Sequence, residues 1–455
     1  MHGSGCRRPS RALRKSAPGA RAPTPWRCPI SNTEQIGGSS AAAGTGPRPG
    51  GPGGPSPLPR AYLVWLSGAL ASLAGDSVLY FALGWAASAH GGAVAGIVLT
   101  AIVLPRVALL LVGGAVGDRL GARRVMIAGD AAMIAVSVLL AALAHHLGAE
   151  PWLLIGAGVA VGCVDAFYLP ASGSMPRRLV SKEQLPRALA LRQVGAQVVT
   201  VGGGPLGGVL VGFAGLAGAA LVDAVTFVVV LAVLIVVRPR QDVPTAPAEK
   251  HVLREAADGV RVGLGDAVLR PGLLLVGAAA GFLLPVVPLL LPLLARDRGW
   301  GVGVAGLVVS AQGAGMIAIT LGVARRGPLG RPGTLAACGL TVAGSGVLAL
   351  AVAPAGGAAL AAGLVIGLGN GLFASHIGPL IATVAPESHL SRIQALLALA
   401  QSLPLLVMNN ALGSLAGLAG TTVTVVVCAI AVTGTGLLAL LSRPLRTAPA
   451  VTGPA

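Results

Sequence analysis

The stretch "LVGGAVGDRLGARRVMIAGD", Leu111–Asp130, decides how this chain folds. An apolar run ends in glycines, Asp118, Arg119, Arg123 and Arg124 follow within seven positions, and the apolar run then resumes. Charges crowded between two apolar runs mark the turn of a hairpin. Each flanking run extends to about 20 mostly apolar residues, the length a helix needs to cross a bilayer. The hairpin is therefore expected to join two membrane-crossing helices.

The rest of the chain is made of the same material. Hydrophobic residues are 54% of it and charged residues 10%, against about 25% charged in a soluble domain. Many of its 68 glycines fall inside the apolar stretches, where membrane helices use them for close packing. A soluble core of 455 residues cannot absorb this much apolar surface. The fold class is an all-α membrane protein. Twelve transmembrane helices are expected at roughly 61–86, 93–117, 124–146, 151–173, 187–212 and 216–237, then 272–295, 301–323, 333–353, 356–382, 393–417 and 420–442.

The spacing divides the chain. Residues 1–59 are rich in Pro, Gly, Ser and Ala, carry most of their charge as Arg, and read as a disordered basic tail. Arg7 and Arg8 do not start a twin-arginine export signal, because no apolar segment follows until Ala61. Residues 60–238 form an N-terminal six-helix half and 271–443 a C-terminal one, with a short tail at 444–455. Between the halves, 239–270 is polar. In "KHVLREAADGVRVGLGD" (Lys250–Asp266), Leu253, Ala256, Ala257, Val260 and Leu264 recur at helical spacing opposite Arg254, Glu255, Asp258 and Arg261. That pattern suits an amphipathic helix on the membrane surface or a solvated linker helix.

Lys and Arg collect in cytoplasmic loops. With the N-terminus inside, nearly all of the 32 Lys and Arg fall on the cytoplasmic side; Arg296 and Arg298 fall outside, and Arg106 and Arg192 lie within spans. Both termini of this multi-pass protein are thus expected to be cytoplasmic, in the plasma membrane. Two matched halves are the organisation of many secondary transporters.

The hairpin itself resembles a motif of the major facilitator superfamily, whose loop between spans 2 and 3 carries Gly, then Asp-Arg, then Gly and a basic cluster. Gly114, Asp118, Arg119, Gly121, Arg123 and Arg124 match in order and spacing, with Ala122 where relatives often place a base. The resemblance implies that this loop gates the cytoplasmic side; simple topological anchoring explains the arginines but not Asp118. The corresponding second-half loop, "ARRGPLGRPG" (Ala324–Gly333), has no Asp. "YLPASGSMPRRLVSKEQLPRALAL" (Tyr168–Leu191) and "ASLAGDSVLYFALGW" (Ala71–Trp85) resemble the exporter branch that includes macrolide- and enterobactin-efflux proteins. "GGGPLGGVLVG" (Gly202–Gly212), with Gly204, Pro205 and Gly208, partly matches the span 5 antiporter motif of drug exporters. It reads equally well as a glycine packing face with a proline kink.

Ionisable groups within membrane spans are functional candidates. Asp76, Arg106, Asp130, Asp165, Arg192 and Asp223 are the ones here. Asp130 and Arg192 lie within two turns of span ends and are expected to reach water. Asp223, on span 6, is expected to be structural. The superfamily resemblance implies that spans 1, 4, 7 and 10 line the central cavity. That makes Asp76 and Asp165 the candidates for proton coupling, at staggered depths. A helix-crossing hydrogen bond for Asp76 and a fixed ion pair between Asp165 and Arg106 are the structural alternatives. Tyr80, Tyr168, Asn370 and His376 are candidate cavity-lining residues.

Aromatic residues are 3% of the chain, so the cavity should be mostly aliphatic and suit a hydrophobic or amphiphilic molecule. The expected function is proton-coupled efflux by alternating access, with an importer or a non-transporting sensor as rivals. The partners are the small-molecule substrate, protons and the bilayer; nucleic acid is not among them, and a monomer is expected. The five cysteines show no metal or redox spacing, no cofactor is indicated, and there is no Walker A sequence for ATP hydrolysis. An enzyme is not expected.

Overall fold

The computed structural model describes residues 57–237, 261–326, 330–386 and 390–448. The tail expected at 1–59 and the linker helix expected from Leu253 lie almost wholly outside the described residues, as does the side chain of Asp118.

Lipid offers no partner for a backbone N–H or C=O, so a spanning chain bonds to itself as helix. Eleven helices among the described residues are long and apolar enough to cross a membrane. One of them, Leu185–Val236, has 52 residues, about 78 Å at 1.5 Å per residue and more than twice a bilayer core. It is two spans. Gly215 divides them with φ 60°, ψ −160°, a conformation that side chains forbid and glycine allows. The twelve spans are α1 (Arg60–Ser88), α2 (Gly92–Leu120), α3 (Ala122–Leu147), α4 (Pro151–Leu179), α5 and α6 (Leu185–Val236, before and after Gly215), α7 (Leu269–Asp297), α8 (Val302–Arg326), α9 (Pro332–Val352), α10 (Gly356–Val384), α11 (Leu390–Ala419) and α12 (Thr421–Leu441).

The hairpin at the centre of the sequence reading turns on one residue. Gly121, at φ 86°, ends α2 and starts α3. The chain reverses there without a loop because glycine alone takes this backbone conformation at low cost.

One span departs from its expected form. The sequence predicts a continuous helix over 272–295. Instead α7 is helical over Leu269–Ala278, widens to a π segment at Ala279–Leu283, tightens to a 3-10 turn at Leu284–Val286, and becomes α-helical again at Leu290–Asp297. Pro285, Pro288 and Pro292 cause the break, since each lacks the N–H that continues a helix. The start of α7 is held by Asp266, whose Oδ1 accepts hydrogen bonds from the backbone N–H of Val268 and Leu269, each 2.8 Å.

Within the first half α1 packs on the α5–α6 segment and α2 on α4; within the second α9 packs on α10 and α12, and α8 on α10. The halves meet along two seams, α5 against α8 and α2 against α11. Both seams are backbone to backbone. A Cβ on Gly204 would lie 2.7 Å from the Gly306 carbonyl oxygen, and one on Gly306 would lie 2.5 Å from that of Gly204. Gly92 and Gly413 face each other in the same way. These contacts lie toward the end of the bundle where α1 stops, away from the loops that carry Arg119, Arg123, Arg124, Arg177, Arg178 and Arg187.

Candidate functional site

Two cavities share a wall. The central one, about 470 Å³, lies between the halves. Tyr80 and Phe81 of α1, Arg106 of α2, Leu283 and Pro288 of the broken α7, Gln312 of α8, Asn370 of α10 and Asn409 of α11 border it. The second, about 430 Å³, lies within the first half between α1, α4 and α5 and is bordered by Asp76, Asp165, Tyr168, Ser172 and Arg192.

Three side chains make the wall. The Tyr80 hydroxyl donates a 2.7 Å hydrogen bond to Oδ2 of Asp165. Arg106 Nη1 stands 3.9 Å from the same oxygen. The fixed Arg106–Asp165 pair weighed from sequence is therefore loose, and the close contact of Asp165 is Tyr80. Tyr80 lies one helical turn beyond Asp76, so α1 presents both toward α4.

The staggered depths expected of Asp76 and Asp165 are not found. α4 runs more than a turn past its expected end, to Leu179, which places Asp165 midway along it. Asp76 sits just past the middle of α1. Both acids border one cavity.

One further correction concerns Asp130, which was expected to reach water. Asp130 is fully buried, and neither of its carboxylate oxygens has a hydrogen-bond partner among the described residues; α3 turns this position inward, and the carboxylate is too short to escape. Arg192 points into the half. Its Nη1 and Nη2 reach the carbonyl and hydroxyl oxygens of Ser172 at 3.4 and 3.3 Å, and its guanidinium lies 5.6 Å from the centre of the Trp65 ring. Asp223 is fully buried, and its Oδ2 accepts a 2.6 Å hydrogen bond from Ser137 of α3. A Cβ on Gly75 would lie 2.9 Å from Asp223 Oδ1, so α1 closes over this acid.

Of the candidate cavity residues, Tyr80 and Asn370 border the central cavity and Tyr168 the first-half one. His376 borders neither. It is 1% exposed, and its Nδ1 is 2.8 Å from the Leu372 carbonyl oxygen one turn back; α10 turns it into the second half. The central cavity also uses Gln312 and Asn409, which the sequence reading passed over. Amides inside apolar spans were the available signal. No group of three His, Cys, Asp or Glu side chains able to hold a metal converges among the described residues.

Residues 65–409 match the sequence model of the Major Facilitator Superfamily. The chain belongs to the major facilitator superfamily. No curated protein sequence matches it. Its fold is similar to that of a POT family transporter crystallised with a thioalcohol-conjugated peptide (TM-score 0.70, 11% identity, covering 86% of this chain and 97% of that one). It is also similar to the nucleoside transporter NupG (0.68, 10%, 84% and 100%). A bacterial homologue of the iron transporter ferroportin, in an inward-facing state, gives 0.62 at 18% identity over 85% and 99%. Family and fold are those of a multi-pass secondary transporter of small molecules.

In this major facilitator protein the span 2–3 hairpin is tied down within its own half. Arg123 donates from Nε to the Leu234 carbonyl at 2.9 Å and from Nη2 to that of Ile235 at 3.1 Å. A cation there meets the unpaired carbonyls and the negative dipole at the end of α6. Arg119 and Arg124 are exposed. The Gly204–Pro205–Gly208 stretch of α5 forms the seam with α8, where Gly208 also packs against Val302 and Gly306.

At the other end, the two arginines that broke the charge bias have defined partners. Arg296 of α7 donates from Nε to the Ser88 hydroxyl at 2.7 Å and from Nη2 to the Trp85 carbonyl at 2.8 Å, and lies 4.5 Å from the centre of the Trp85 ring. It thus fastens the second half to the end of α1. Arg298 stays within its half and donates to the carbonyls of Ala351 and Ala353 at the end of α9.

Proposed function

We propose that this protein is a proton-coupled exporter of a small hydrophobic or amphiphilic molecule, working by alternating access as a monomer in the plasma membrane. The observation that carries the reading is the shared wall. Tyr80, Asp165 and Arg106 stand between a mostly apolar cavity at the junction of the halves and an acid-bordered cavity inside one half. A proton arriving at Asp76 or Asp165 changes the charge balance of that wall, and with it the substrate site. The break in α7 beside the central cavity supports the same reading, since discontinuous helices mark substrate sites in this class of protein.

Efflux is favoured by the resemblance of Ala71–Trp85 and Tyr168–Leu191 to exporter sequences. The arginine distribution supports cytoplasmic termini. Asp118 and Arg119 serve as the gate on that side, with Gly114, Gly121, Arg123 and Arg124 shaping the hairpin.

Reconstituted vesicles test the reading. Substrate efflux that collapses when the pH gradient is dissipated is the expected result. Gradient-driven uptake makes the protein an importer, and the absence of flux with every ligand makes it a sensor.

A further inference from the structure

The central cavity contains one charge that has an ion-pair partner but no hydrogen bond. Among the side chains that border it, Arg106 is the charged one. Its side chain is 43% exposed, against 14% for Asp165. A guanidinium has five N–H donors, yet Arg106 makes no hydrogen bond among the described residues and has Asp165 at 3.9 Å, beyond hydrogen-bond range. The acid, by contrast, already holds the Tyr80 hydroxyl at 2.7 Å. Asp76 and Asp165 border the cavity on the far side of the wall.

The neutral polar groups fit the same pattern. Ser77 turns its hydroxyl back to the Leu73 carbonyl, and Tyr80 gives its own to Asp165. The Asn370 amide finds nothing nearer than the Met316 sulfur at 4.0 Å, so its donors stay available to the cavity. Asn409 is 2% exposed with an unpartnered Oδ1 that can accept from a hydroxyl or amide on the bound molecule.

We infer that the head group taken by this cavity is an anion: a carboxylate, carried on an apolar body and seated on the Arg106 guanidinium. The inference rests on the central cavity being the substrate site. A carboxylate accepts two parallel N–H···O bonds from a guanidinium fork, a match that neither an amide nor an ammonium group reproduces. Leu99, Ile102, Val287 and Pro292 supply the apolar wall for the body. A volume of about 470 Å³ falls in the range of small-molecule sites. Substrate and Asp165 then compete for one guanidinium, which ties loading of the cavity to the state of the acid.

Three probes with one naphthalene body decide the matter: 2-naphthoate, 2-naphthamide and 2-naphthylmethylammonium, titrated calorimetrically into the full-length protein. The naphthoate is expected to bind at least about tenfold more tightly than the amide, with the ammonium compound weakest. Arg106→Gln should bring naphthoate down to the affinity of the amide. Arg106→Lys, which keeps the charge without the fork, should retain part of the preference. The ranking on the native chain stands even if a variant fails to fold. Tightest binding of the ammonium compound, or equal binding of all three, overturns the inference while leaving the cavity a substrate site. An anion preference that survives Arg106→Gln overturns it as well. Binding of none of the three removes both the inference and the assignment of the cavity.

Discussion

Tyr80 and Asp165 are joined across α1 and α4 by a 2.7 Å hydrogen bond, the hydroxyl donating to Oδ2. Tyr80 borders the central cavity and Asp165 the acid-bordered one. A single side-chain contact therefore connects the space between the halves with the polar interior of the first half.

Tyr80→Phe removes that donor and little else. A hydrogen bond to a charged acceptor contributes about 1.5–3 kcal/mol, so gradient-driven flux should fall by roughly tenfold or more. Downhill exchange of substrate without a gradient should persist. Equal loss of both rates in vesicles would show that Tyr80 supports the fold rather than the coupling.

Asp76 borders the same cavity as Asp165 and accepts no hydrogen bond among the described residues, which leaves it available to exchange protons. Asp76→Asn should abolish active transport while substrate binding stays measurable by calorimetry. Active flux at the native rate would remove Asp76 from the coupling path.

Ser137→Ala tests the structural role of Asp223. The acid loses its 2.6 Å partner while its Oδ1 already lacks one. An unsatisfied buried group costs about 1–3 kcal/mol, so the thermal midpoint in detergent should drop. Flux per folded molecule should not change, and a selective loss of flux would instead recruit Asp223 to transport.

Arg296 and Arg298 make a matched pair two residues apart. Arg296→Ala breaks a contact between the halves, and Arg298→Ala breaks one within a half. Spin labels on α1 and α7 should report a shift toward separation at that end for Arg296→Ala. Arg298→Ala should lower stability with the label distance unchanged.

In the basic hairpin, Asp118→Lys should slow turnover by weakening closure on that side. Arg123→Ala should cost about 0.3–1 kcal/mol of stability through loss of the cap on α6. A normal rate for Asp118→Lys would leave the hairpin a topological anchor.

The sequence alone determined the twelve spans, their division into two sets of six, the charged hairpin between spans 2 and 3 and the shortlist of intramembrane charges. Lipid is the reason: it forces any apolar stretch of about 20 residues into helix, so length and composition suffice. Tertiary structure decided how those charges are used. Asp130 turned inward, His376 stood away from the cavities, Asp76 and Asp165 came to border one cavity, and Tyr80 rather than Arg106 became the close partner of Asp165. The break in α7 likewise showed its prolines acting together beside the cavity. Which way a side chain faces depends on helix rotation and on where neighbouring helices end. Those are set by packing between spans distant in the chain, such as Gly204 against Gly306, and a pattern read along one span does not contain them.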